Sequence, residues 1–161
     1  MYHIFEESCH NYIAQAAFWG WFSAQAIKFL WQLIRYRTLR LERLVGSGGV
    51  PSSHTSFVIS TTTALYFKNN GITDLFVVAL VFSIVVMDDA SGVRREAGRQ
   101  SQILNQIVEY FSKRNIPVIL KGREIALKEL LGHTPIEVFG GLILGILVAY
   151  IQYFYVYNGV I

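Results

Sequence analysis

Long apolar runs alternate with short polar ones along this chain, and that segmentation restricts its fold more than any other feature. A helix that crosses a bilayer needs about 20 largely apolar residues, and four stretches approach that length. The first, residues 12–34, carries Trp19, Trp21, Phe22, Phe29 and Trp31, but also Gln15, Gln25 and Lys28. One of its faces must therefore look at protein or water rather than lipid. The second, residues 53–67, is short and rich in Ser and Thr, as suits a helix buried among others. The third, residues 73–87, is the most lipid-like, with Phe76, Val77, Val78, Leu80, Val81, Phe82, Ile84, Val85 and Val86. The fourth, residues 135–157, ends in Tyr150, Tyr153, Tyr155 and Tyr157, residues suited to a membrane–water boundary. The expected fold is all-α: one polytopic membrane domain over residues 1–161, with about four transmembrane helices and a polar helical loop at about 91–132.

Composition agrees. The chain is 53% hydrophobic and 16% charged, too poor in charge for an ordinary soluble domain. Its single cysteine, Cys9, excludes an internal disulfide framework. Glu6 and Glu7 stand where a secretory leader would carry basic residues, so residues 12–34 are expected to belong to the mature protein. The net charge of +3 is modest, and no nucleic-acid partner is expected. The distribution of charge is more informative. Arg37, Arg40 and Arg43 lie in the loop 36–50, and Arg94, Arg95, Arg99, Lys113, Arg114, Lys121, Arg123 and Lys128 lie in the loop 91–132, whereas the opposite side offers Lys68. The excess of cations in cytoplasmic loops then puts both polar loops in the cytoplasm and both termini on the other side.

The long loop has helical order of its own. Ile103, Ile107 and Phe111 recur every four residues with Leu104 and Val108 beside them, and Ile125, Leu127, Leu130 and Leu131 suggest a second short helix stopped by Gly132. This is either a cytoplasmic helical hairpin or an amphipathic segment with its apolar face on the membrane. Ala16, Gly20 and Ala24 recur every four positions, as do Gly141 and Gly145, which lets membrane helices approach closely. That spacing serves packing within one chain or a homodimer face.

The chemistry-bearing residues gather near the ends of these runs. Lys28 and Arg35 are seven residues apart, two turns along one helix face. Lys28 either snorkels to the boundary or, with Arg35, supplies cations for phosphate oxygens. In Gly48-Gly49-Val50-Pro51-Ser52-Ser53-His54, the helix start presents free N–H groups suited to an anion. Ser52 or Ser53 is equally a good N-cap, while His54 could protonate a leaving oxygen. In Gly132-His133-Thr134-Pro135-Ile136-Glu137, a capping box accounts for Thr134 and Glu137 without any chemistry. It does not account for His133, which could act as a nucleophile with Glu137 fixing its tautomer. Those two roles compete for one carboxylate. Arg94 or Arg95 could complete a phosphate cradle. Asp88 and Asp89 are weak candidates for a metal ion, or partners of Lys28 or the arginines.

Together these motifs resemble the type-2 phosphatidic acid phosphatase and vanadium haloperoxidase superfamily, and in particular its short divergent branch, described as acid phosphatase or vanadium-dependent haloperoxidase-related. Lys28 and Arg35 match the first motif by spacing, Pro51, Ser52 and His54 the second, and His133 and Glu137 the end of the third. Ser53 stands in place of a glycine, Glu137 in place of an aspartate, Tyr36 in place of a proline, and the arginines lie far upstream of His133. The resemblance implies hydrolysis of a lipid phosphate or similar phosphomonoester through a phosphohistidine, with no cofactor and no metal. In that scheme Lys28, Arg35, Ser52, Ser53 and Arg94 or Arg95 hold the phosphoryl oxygens, His133 attacks, Glu137 orients it and His54 protonates the leaving group. The alternatives are a non-catalytic membrane protein that binds a phosphorylated lipid or anion for transport or sensing, and a scaffold whose histidines are structural. Convergence of the polar residues separates the last from the other two.

Overall fold

In the computed structural model the described residues are 11–36, 49–114, 119–120, 123–124 and 132–157, the side chains of 35–36, 119–120 and 123–124 excepted. The helices are α1 (Tyr12–Tyr36), α2 (Ser53–Lys68), α3 (Asp74–Ser91), α4 (Val93–Ser112) and α5 (Pro135–Ile151), the last continued by a π-helical turn over Gln152–Val156. Each of the four expected apolar runs became a helix within a few residues of its expected ends. The second half of the polar loop is described only in part. Ile119–Leu120 and Arg123–Glu124 form a two-residue antiparallel pair, and the short helix expected around Ile125–Leu131 falls outside the described residues.

Local chemistry fixes the helix ends. Asn11 Oδ1 accepts from the Ile13 amide at 2.9 Å and so caps α1. Ser52 caps α2 through the Thr55 amide, and Thr73 caps α3 through the Phe76 amide. Asp74 lies in the first turn of α3, where the helix dipole favours a negative charge. Thr134 and Glu137 form a complete capping box at α5, with Pro135 in the first turn.

The bundle is arranged around α2, which packs on α1, α3 and α5. Small residues make this close approach feasible. A side chain at Gly20 would run into Ser60 and the Ser56 carbonyl, one at Gly141 into the Ser52 carbonyl and Thr55, and one at Gly145 into the Ser56 carbonyl and Ile59. The Ala16, Gly20 and Ala24 stripe and the Gly141 and Gly145 pair therefore pack within a single chain. Hydroxyl groups fill the seams. Ser56 donates to the Gly20 carbonyl at 2.7 Å, Thr62 and Ser83 share a hydrogen bond of 2.9 Å, and Tyr12 donates to the Ala149 carbonyl at 2.9 Å. At the end away from the polar loops, the Tyr12 ring meets Tyr157 edge-on at 5.2 Å.

Most of the large apolar side chains are on the outside. Trp19, Trp31, Val78, Val81, Phe82, Ile143 and Leu147 are exposed, while Ser52, Thr55, Ser56, Ser60 and Ser83 are buried. A bundle with hydroxyls inside and large apolar side chains outside is suited to lipid rather than water. Segments within Asp74–Ser112 and Pro135–Val156 are long and apolar enough to cross a membrane.

Candidate functional site

At the start of α2, the end of α3 and the start of α5, three chain segments meet around a cavity of about 160 Å³. His54, Val86, Asp89, Ala90, Arg94, Gly132 and His133 line it. Backbone bonds hold the three segments in register. The His133 amide donates to the Ala90 carbonyl at 2.7 Å, and the Ser52 amide donates to the Glu137 carbonyl at 2.8 Å. Gly132 has φ 85° and lies directly against the backbone of Arg94 and Arg95, where any Cβ would overlap it. The turn before α5 is thereby pressed onto the first turn of α4, and His133 is placed beside Arg94.

His133 is 2% exposed. Its Nδ1 lies 2.9 Å from Glu137 Oε2, and its Nε2 is buried with no hydrogen-bond partner among the described residues. The same Glu137 oxygen accepts from the Thr134 amide at 3.2 Å, while the Glu137 amide donates to Thr134 Oγ1 at 3.4 Å. The competition between capping and orienting thus does not arise, because one carboxylate oxygen does both. A carboxylate accepts hydrogen bonds only, so the ring's Nδ1 carries the proton. The Nε2 lone pair is then free of any donor among the described residues.

Burial pushes the His133 imidazole below its ordinary value. The Glu137 hydrogen bond opposes that shift, while the positive charges of Lys28 and Arg94 add to it. The result is a neutral ring at pH 7, the form in which a nitrogen can attack.

His54, in the first turn of α2, faces it with 6.0 Å between ring centroids. Charge-assisted hydrogen bonds run to about 2.7–2.9 Å, so one tetrahedral anion can span two rings at this separation. Arg94 donates from Nε to Asp89 Oδ2 at 2.6 Å, which holds its guanidinium at the cavity wall and leaves its outer nitrogens for another acceptor. Lys28, projecting from α1, donates to Ser53 Oγ at 3.4 Å.

Not all the expected residues occupy equivalent positions. Ser52 is fully buried and serves as the N-cap, its Oγ accepting from the Thr55 amide and hydroxyl. Ser53 is the partner of Lys28 rather than a wall of the cavity. Of the two arginines, Arg94 lines the cavity, and Arg95 contributes its backbone to the contact with Gly132. Arg35 lies on α1, but its side chain is outside the described residues. Asp89 is engaged by Arg94, Asp88 is exposed, and among the described residues no group of three or more His, Cys, Asp or Glu side chains is gathered to hold a metal ion.

Val86, Ala90 and Gly132 line the cavity without having been expected as site residues. Val86 and Ala90 share a helix face with Asp89, since residues three and four apart are neighbours. Gly132 was read as a stop to the preceding helix, and its contact with α4 has no local signature.

A family model described as the divergent PAP2 family matches residues 9–148. An uncharacterized membrane protein, YuiD, of Bacillus subtilis (strain 168) is 38% identical over 139 residues, covering 82% of this chain and 88% of its own. No solved structure matches the chain.

Proposed function

Because the chain belongs to the divergent PAP2 family, we propose that it is a membrane-embedded phosphatase acting on a lipid phosphate or similar phosphomonoester through a phosphohistidine. The observation that carries this reading is the state of His133: Nδ1 bound to a carboxylate, Nε2 buried with no partner among the described residues, beside a second histidine and an arginine. A histidine serving only the fold would be expected to have both nitrogens satisfied.

In the first step the Nε2 lone pair attacks phosphorus, and the bond from phosphorus to the ester oxygen breaks. His54, which takes up a proton as the negatively charged phosphate seats beside it, gives that proton to the ester oxygen, so the alcohol leaves neutral. Glu137 stabilises the positive charge that develops on the ring, as the carboxylate does in a histidine–carboxylate pair. Arg94, and Lys28 through its position beside Ser53, balance the charge on the phosphoryl oxygens. In the second step, now-neutral His54 takes a proton from water as that water attacks phosphorus, and the P–N bond breaks. Inorganic phosphate leaves and His133 is regenerated. Val86 on the cavity wall and the lipid-like face of α3 suit a substrate that arrives from the bilayer. With four crossings and both polar loops in the cytoplasm, the site opens toward the cytoplasmic leaflet.

The test is phosphate release by purified protein from phosphatidate and from soluble phosphomonoesters. Turnover should be lost in His133→Ala and fall by about 10²–10⁴ in His54→Ala. Vanadate, whose trigonal-bipyramidal form imitates the transferring phosphoryl group, should inhibit. Full activity in His133→Ala would remove the phosphohistidine route. Vanadate binding without turnover across a broad phosphate panel would make anion binding the better account.

A further inference from the structure

Apart from Arg94 at its start, α4 plays no part in the proposed reaction. Each residue advances about 100° around a helix, so Val93, Ala97, Leu104, Ile107, Val108 and Phe111 fall on one stripe of α4. Val93, Leu104, Ile107 and Phe111 are exposed, as are Ile103 and Tyr110 at the border of the stripe. The position on α4 that is buried is Gly98, about 140° round from Val93. The protein therefore covers part of the polar side and leaves the apolar stripe turned outward.

Three observations indicate what covers it. First, α4 begins immediately after Gly92, at the end of α3, whose exposed Val77, Val78, Val81 and Phe82 mark it as lipid-facing. The stripe thus starts at the membrane boundary. Second, residues 93–114 hold five cations, Arg94, Arg95, Arg99, Lys113 and Arg114, against two carboxylates, Glu96 and Glu109, and remain net positive with Asp89 of α3 paired to Arg94. A net positive amphipathic helix at a membrane face complements anionic headgroups. Third, those cations sit at both ends of α4. Pairing with a second copy, parallel or antiparallel, would bring cations against cations, which disfavours a dimer.

We propose that α4 lies in the headgroup layer of an anionic bilayer with its apolar stripe toward the acyl chains. The experiment uses the full chain in a Cys9→Ser background, with a nitroxide attached in turn at Leu104, Ile107 and Gln102. Each labelled protein is placed in nanodiscs of phosphatidylcholine and phosphatidylglycerol in equal amounts. Accessibility to oxygen, which concentrates in lipid, is compared with accessibility to a water-soluble nickel chelate. The oxygen-to-nickel ratio is expected to be several-fold higher at Leu104 and Ile107 than at Gln102. In nanodiscs of phosphatidylcholine alone the ratio at Ile107 is expected to fall by about twofold or more as the electrostatic attraction is lost. Equal ratios at the three positions would place the stripe in water and overturn the proposal. Low oxygen accessibility with spin–spin broadening at Ile107 would show a second copy as the occupant and overturn it equally. An unchanged ratio without phosphatidylglycerol would overturn the requirement for anionic lipid. None of these readouts depends on turnover, so their failure is distinct from failure of the phosphatase reading.

Discussion

Replacing Glu137 by Gln separates its two duties, and the structure sets the size of the effect. One oxygen, Oε2, accepts from both His133 Nδ1 and the Thr134 amide. Glutamine has one carbonyl oxygen, and placing its NH₂ at that position would set it against the Thr134 N–H. The cap therefore forces the amide to present oxygen, which keeps the proton of His133 on Nδ1 and the Nε2 lone pair free. The tautomer survives, so the loss of about 10⁴ that accompanies a wrong tautomer is not expected. What is lost is charge. A hydrogen bond to a charged group contributes about 1.5–3 kcal/mol and a neutral one about 0.5–1.5 kcal/mol. The difference of about 1–2 kcal/mol, applied to the developing imidazolium, lowers kcat about 5- to 30-fold. The helix start is retained, because glutamine serves at the same position of a capping box. The assay is steady-state phosphate release by the purified variant in nanodiscs, with thermal unfolding measured alongside. Wild-type activity would reduce Glu137 to a cap. A loss beyond about 10³ with an unchanged melting temperature would show that the cap does not control the tautomer, and would refute the reasoning.

The remaining expectations concern pH, the turn before α5 and orientation. Burial holds His133 below its ordinary value, so the acid limb of kcat/KM assigned to it should lie below pH 6.5, and it should move lower still in Glu137→Ala, which removes an opposing influence. Between the folded value and 6.5 the unfolded chain binds more protons at this residue, so its contribution makes stability rise with pH through that window and fall on acidification; urea unfolding at stepped pH, compared with His133→Ala, measures it. Gly132→Ala should destabilise the fold by about 1–3 kcal/mol and impair turnover, because φ there is 85° and a Cβ overlaps the Arg95 backbone; an unchanged melting temperature would contradict the contact. A cysteine placed at Ser112 in a Cys9-free background should resist a membrane-impermeant reagent in intact cells, and its modification from outside would reverse the proposed orientation.

The helices were legible because lipid asks for long apolar runs and because their starts carry capping residues that act locally. Thr134, Pro135 and Glu137 announced α5 before any packing was known, and the four-residue recurrence of Ala16, Gly20 and Ala24 announced a close contact. Its partner was equally visible and went unread: Ser52, Ser56, Ser60 and Ala64 recur every four residues along α2, forming a small, hydroxyl-bearing strip where α1 and α5 pack. The histidines and the pair Arg94 and Arg95 could be nominated from their types and neighbours, but not which of the two arginines lines the cavity. The seating of Gly132 on α4 could not be read, because it depends on where elements far apart in sequence come to rest; the sharing of one Glu137 oxygen by His133 and Thr134 is local, but it turns on side-chain rotamers that spacing alone does not fix.

The hydroxyl seam of α2 has a consequence for how the protein is made. This helix has 16 residues, about 24 Å of rise, against a hydrocarbon layer of about 30 Å, and it buries Ser52, Ser53, Thr55, Ser56, Ser60 and Thr62. Alone in lipid it would expose those hydroxyls and fall short of both interfaces, so its partition from the translocon is unfavourable without neighbours. The helix α1 emerges first and can shelter the face that meets Gly20. The face that meets Gly141 and Gly145 waits for α5, which is synthesised after the whole polar loop. Until α5 arrives, the nascent chain holds in the membrane a strip of small residues with no packing partner, although the Ser60 and Thr62 hydroxyls already bond to carbonyls of their own helix. A chain truncated within the polar loop would retain that strip permanently, and would be a natural target for membrane-protein quality control.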